Sequence, residues 1–113
     1  MAELIDENNG FIYHLDVGGD DQVTIGKSDE CDVVIPPKES RDEWLHEQPP
    51  YSIYDFVSRQ HGKYDKSSRR LHDLDSSNGT FVNGQRITGD GVDLSEGDKV
   101  RLGRLELTFF ATV

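Results

Sequence analysis

The chain carries a single cysteine, Cys31, among 113 residues, so an internal disulfide is excluded. Thiol usage this sparse makes a reducing, cytoplasmic setting the default, or a nuclear one if the source is eukaryotic. Long hydrophobic runs are missing as well. No apolar stretch approaches the ~20 residues that span a bilayer as a helix, so no membrane role is expected. The opening MAELIDENNG has neither a basic start nor an apolar core and does not read as a signal peptide. Positive charge is scarce: 12 Lys and Arg face 22 Asp and Glu, a formal net charge of −10. Residues 1–26 hold no Lys or Arg at all. Phosphate backbones demand a positive surface, so nucleic acid is excluded as a general partner. His14, His46, His61 and His72 show no ligand spacing, and one cysteine adds nothing to them. No metal site and no cofactor are expected.

What remains is a short, polar, turn-rich chain. Only 34% of the residues are hydrophobic, the apolar segments are brief, and there are 11 glycines. That pattern predicts one all-β domain, a sandwich or barrel of short strands. Residues 11–16, 22–25, 33–35, 62–64, 70–74, 80–82, 92–94, 99–103 and 104–110 read as strands, the last two with clear period-two alternation. Pro36-Pro37 ends the third, because proline has no N–H to give a ladder. Residues 1–10 read as an N-terminal tail and 11–113 as the domain, with a long loop insertion at 36–56. Within it, Glu43-Trp44-Leu45-His46 is compatible with one helical turn. Its aromatics, Trp44, Tyr51, Tyr54 and Phe56, predict that part of it packs back on the sandwich.

The stretch from Leu71 to Ile87, LHDLDSSNGTFVNGQRI, is the densest in signals. Asn83-Gly84 tolerates φ > 0 at both central turn positions and predicts a type I′ hairpin. Asp75-Ser76-Ser77-Asn78-Gly79 holds more hydroxyl and amide groups than one turn requires, which suggests that some face a partner.

Three alternative chemistries fail on spacing. Gly26-Lys27-Ser28 resembles the tail of a nucleotide-phosphate loop, but the required upstream glycine position is Asp21. Asp73 to Gly79 resembles a calcium loop, but the twelfth position is Gly84 instead of a bidentate Glu. Ser58 and His61 form no predictable nucleophile–base pair and have no acidic third member. The chain is therefore read as a non-enzyme, with no catalytic residue assigned.

Loops at one end of a sandwich cluster in space and are where sites are built. Gly26-Lys27-Ser28, Ser58-Arg59 and Ser76-Ser77-Asn78 together offer an ammonium, a guanidinium, hydroxyls, an amide and backbone N–H groups. This mixture suits a phosphate dianion on a peptide.

These residues resemble the forkhead-associated (FHA) domain, a phosphothreonine-peptide binding family. The matching elements are Ile25-Gly26-Lys27-Ser28 with Asp32, Val57-Ser58-Arg59-Gln60-His61, and Leu74 to Gly84. Leu94 with Gly97-Asp98, and Val100 to Gly103, complete the ordered set, which spans about residues 11–111. The resemblance implies a sandwich of two twisted antiparallel sheets, around eleven strands, with ligand loops at one end. It implies that Lys27, Ser58, Arg59 and Ser77 contact the phosphate and that Asn78 bonds the peptide main chain. Gly26, His61, Gly79 and Thr80 are then structural support for the site. The implied partner is a phosphothreonine-containing protein, a Ser/Thr kinase or its substrate, bound for phosphorylation-dependent signalling. Selectivity for threonine would rest on a small pocket for its γ-methyl, whose burial is worth about 0.8 kcal/mol. The third residue after the phosphothreonine would lie near Phe56, whose ring predicts an apolar preference there.

Three features depart from the family pattern, the slightest being Gly62 where an alanine is common. Lys27 stands where an Arg is usual and lacks its planar fork, which predicts weaker phosphate binding. The 36–56 insertion is larger than the usual loop, and Glu39, Asp42, Glu43 and Glu47 would repel a phosphopeptide if they lay beside the site. The competing reading is a phosphate-independent interaction or assembly module that uses this insertion or a sheet face.

Overall fold

The computed structural model describes residues 2–37 and 53–111. Among them, eleven strands form a sandwich of two sheets. In chain order they are β1 (Ala2–Asp6), β2 (Phe11–His14), β3 (Gln22–Gly26), β4 (Val33–Val34), β5 (Gly62–Asp65), β6 (Arg70–Asp73), β7 (Thr80–Val82), β8 (Gln85–Arg86), β9 (Val92–Asp93), β10 (Lys99–Leu102) and β11 (Leu105–Ala111). One sheet runs β2-β1-β11-β10-β7-β8 and the other β4-β3-β5-β6-β9. A 3-10 turn, Ile53–Phe56, precedes the segment that leads into β5.

Period-two alternation explains how the sheets meet. Val23 and Ile25 on β3, Val100 and Leu102 on β10, and Leu105, Leu107 and Phe109 on β11 all point inward and are buried. Tyr64 on β5 reaches across to Phe109, with ring centroids 6.0 Å apart. Burying each such side chain is worth roughly 1.5–3 kcal/mol.

Two expectations need adjustment, and a third falls largely outside the described residues. Residues 2–6 are not a tail. They form β1, which lies between β2 and β11 and pairs antiparallel with both. The signal was masked because the strand sends a carboxylate inward: Asp6 is fully buried. It is tolerated because it is solvated by protein donors, the Asn9 amide (3.0 Å), the Asn9 side-chain amide (2.9 Å) and the Tyr54 hydroxyl (3.1 Å). Secondly, the pairing is not antiparallel throughout. After the loop 27–32, β4 returns alongside β3 in parallel, pairing Ile25 with Val33. Thirdly, most of the 36–56 insertion, including the helical turn expected at 43–46, lies outside the described residues. Of its aromatics within them, Tyr54 is buried in the core and Phe56 is half-buried.

The Asn83-Gly84 turn is as expected. Phe81 pairs with Arg86 and Val82 with Gln85. The two residues between them have φ of 51° and 86°, as a type I′ turn requires.

Candidate functional site

Lys27, Ser58 and Ser77 come from loops after β3, before β5 and after β6, and the backbone ties these loops together. The Lys27 amide donates to the Ser58 carbonyl (3.0 Å), and the Ser28 amide to the Arg59 carbonyl (3.0 Å). Such close seating is possible because residue 26 has no side chain. A Cβ there would lie 2.2 Å from the Arg59 carbonyl oxygen and 2.9 Å from that of Ser58. Any larger residue would push the two loops apart. The Cys31 thiol also points at the Arg59 carbonyl (3.2 Å), so this oxygen is held from two sides.

The third loop joins through Ser58. Its hydroxyl accepts the Ser77 amide (3.2 Å), which leaves its own proton to be donated outward. Asn78 donates its side-chain N–H to the Phe56 carbonyl (3.3 Å). Arg59, Ser77 and Asn78 are exposed, and Lys27 and Ser58 are half-buried. The five residues expected to touch a phosphopeptide thus belong to one connected group of loops.

His61 is the buried post beneath them, fully shielded from solvent. Its Nε2 lies 3.0 Å from the Gly79 carbonyl, which can only accept, so Nε2 carries the proton. Nδ1 then accepts the Ser58 amide (3.0 Å). One neutral imidazole therefore links the Ser58 loop to the Gly79 loop. Burial pushes its pKa below the usual histidine value, outweighing the Gly79 carbonyl and the Asp73 charge, which act the other way. Both ring nitrogens are committed to main-chain partners, so His61 cannot serve Ser58 as a base. The Gly79 carbonyl also accepts the Gly103 amide (2.9 Å), which brings the β10–β11 turn to the same end.

Thr80, also fully buried, exposes a residue that spacing did not single out as a support. Its hydroxyl donates to Asp73 Oδ1 (2.6 Å), and the same carboxylate receives the Ser76 hydroxyl (2.5 Å) and the Ser76 amide (3.2 Å). The Ser76 oxygen in turn accepts the Gly79 amide (3.1 Å). Partial burial raises the Asp73 pKa, but these donors together outweigh it and hold the group below the usual carboxylate value. Ser76 is therefore scaffold, and Asp73 shapes the loop that displays Ser77 and Asn78. A side chain bonding the backbone three residues ahead is a recognisable local signal. Here it was obscured by the weak likeness to a calcium loop.

The comparisons with known proteins bear on the family and the fold. The family model described as the FHA domain matches residues 23–103. Among solved structures, the chain is similar to an FHA domain from a structural and functional study of phosphothreonine-dependent FHA domain interactions. That match has a TM-score of 0.71 and 25% identity, over 99% of this chain and 97% of that one. It is also similar to Mycobacterium tuberculosis EmbR in complex with a low-affinity phosphopeptide, with a TM-score of 0.69 and 29% identity. That match covers 96% of this chain but 24% of EmbR, so the chain spans about a quarter of that protein. The N-terminal FHA domain of Rad53p from S. cerevisiae, in complex with a phosphothreonine peptide, matches with a TM-score of 0.67 over 98% of this chain and 93% of that one. At 20% identity this last likeness shows the fold alone. No curated protein was found to match the chain.

Proposed function

We propose that this chain, which belongs to the FHA domain family, is a non-catalytic module that binds phosphothreonine in a partner protein. It brings a Ser/Thr kinase or a kinase product into a signalling complex in the cytoplasm. The observation that carries the reading is the Ser58 hub. Its carbonyl holds the Lys27 loop, its amide is held by His61, and its hydroxyl holds the Ser77 loop. A hydroxyl fixed in this way, with Lys27, Arg59 and Ser77 around it, suits the oxygens of one phosphate group. Asn78 is suited to the peptide main chain beside it. Each hydrogen bond to a charged group contributes about 1.5–3 kcal/mol before ordering costs. Three or four of them support affinity on the order of micromolar.

Titration with three peptides of one sequence, carrying phosphothreonine, phosphoserine or unmodified threonine, tests the proposal. Binding is expected to rank in that order. Equal affinity for all three would overturn it and favour a phosphate-independent module.

A further inference from the structure

The outer face of the larger sheet carries a stack that the phosphate site does not use. Strand register sets Arg86 on β8 and Arg101 on β10 directly opposite Phe81 on β7, one on each side. The Arg101 guanidinium lies 3.9 Å from the Phe81 ring centroid and the Arg86 guanidinium 6.0 Å from it. A third arginine repeats the motif nearby. Arg104, in the β10–β11 turn, covers the Phe56 ring at 4.4 Å.

All three border the Asn78 side of the phosphate loops. A Cβ placed on Gly79 would lie 3.2 Å from the Arg86 guanidinium carbon. Arg101 donates to the Gly103 carbonyl (2.8 Å), and the Gly103 amide donates to Gly79 (2.9 Å). Arg104 follows Gly103, and the carbonyl of its ring partner Phe56 receives the Asn78 side chain. A peptide held at Ser58 and Asn78 would therefore continue over Phe56, Arg104 and Arg86.

Among the described residues, none of these three arginines forms an ion pair. That is unexpected in a chain with 22 acidic residues. Glu106, the residue opposite Arg101 on β11, lies on the side away from Phe81. A guanidinium stacked on a ring through its face keeps its in-plane N–H fork for a planar oxyanion. Arg86 and Arg104 are exposed and Arg101 is half-buried, so the first two can meet a ligand while the third steadies Phe81 and Gly103.

We infer that Arg86 and Arg104 form an acidic-residue subsite, so that the favoured ligand carries Asp or Glu close to its phosphothreonine. Phe56 is covered by Arg104 and does not offer the open apolar surface expected from its ring alone. This inference rests on the phosphothreonine reading, and its test separates the two. Phosphothreonine peptides with Glu, Ala or Lys at each flanking position are titrated against the intact chain by fluorescence anisotropy. At one or two positions the Glu peptide should bind roughly fivefold tighter than the Ala peptide, the gain expected of exposed ion pairs. The Glu-to-Ala ratio should shrink in Arg86→Gln and Arg104→Gln and approach one in the double variant. Arg104→Lys should restore part of it. Phosphothreonine-dependent binding with no preference for Glu at any position would overturn the subsite and leave the proposed function standing. A preference that survives the double variant would assign it elsewhere and also overturn the inference. Absence of any phosphate-dependent binding would overturn both readings.

Discussion

Two polar turns lie within ten residues of each other, and they are built on different principles. The Asn83-Gly84 turn takes its shape from backbone conformation, with both residues at positive φ. Its one side chain, that of Asn83, ties it to the start of β10, accepting the Lys99 amide (2.9 Å) and donating to Asp98 (3.0 Å). Nothing lies within 4 Å of the place where a Gly84 Cβ would stand. The Asp75–Gly79 loop is instead wired inward. Ser76 and Thr80 converge on Asp73, and Gly79 and Ser58 converge on His61. Similar short polar residues thus tie a turn to one neighbouring strand end in one case and join several loops in the other. Gly84 in the first turn can be altered alone, whereas the second cannot change without moving the loops joined to it.

The sharpest way to break the contrast is Asp73→Ala. It strands the Ser76 and Thr80 hydroxyls and should cost about 2–4 kcal/mol. The denaturant midpoint should fall with little change in m, and phosphopeptide affinity should fall with it. Next comes the Ser58 hub. Ser58→Ala and Ser77→Ala should each weaken phosphopeptide binding, Ser58→Ala by about tenfold or more. Because Ser58→Ala keeps the carbonyl and amide bonds, thermal stability should change by no more than about 1 kcal/mol.

Acid should separate the two posts under the inward-wired loop. The His61 pKa is lowered by folding from 6.5. The unfolded chain then binds the extra proton, so this contribution is complete above pH 6.5 and is lost as pH falls toward the lower folded value. The Asp73 pKa is lowered from 3.8, and its contribution is lost only below that value. Unfolding midpoints measured from pH 7.5 to 5 should therefore drop, and His61→Gln should flatten that drop whatever its own stability. Gly84→Ala is the local counterpart. It should cost about 1 kcal/mol through the strained φ alone and leave phosphopeptide affinity unchanged. The smallest effect is expected of Lys27→Arg, which should leave binding unchanged or slightly tighter. A clear loss would mean that residue 27 is not beside the phosphate.

Much of the layout was legible because alternation and turn chemistry are local. The Val100 to Phe110 hairpin and the Asn83-Gly84 turn needed no distant partner to be read. Strand β1 was not legible, because its inward Asp6 breaks the apolar pattern and is stabilised by Tyr54, 48 residues away. At the site, Lys27, Ser58, Arg59, Ser77 and Asn78 were named through motif order, since no spacing rule joins residues 50 positions apart. Asp73 was missed because its function depends on where the carboxylate points. The neighbour of the Phe56 ring was missed for a similar reason. The cation that covers the ring is Arg104, supplied by a turn 48 residues further on.

The main-chain ties beneath the site have an evolutionary consequence. Lys27 and Arg59 are positioned through their backbone atoms, and the Arg59 carbonyl is held from two sides. The exposed Arg59 side chain can be exchanged without disturbing the platform that displays it. If the proposed function holds, affinity for an anionic ligand can therefore be engineered at Arg59 nearly independently of folding. Gly26, His61 and Asp73 admit no such freedom, so substitutions there are filtered by stability before binding is ever tested.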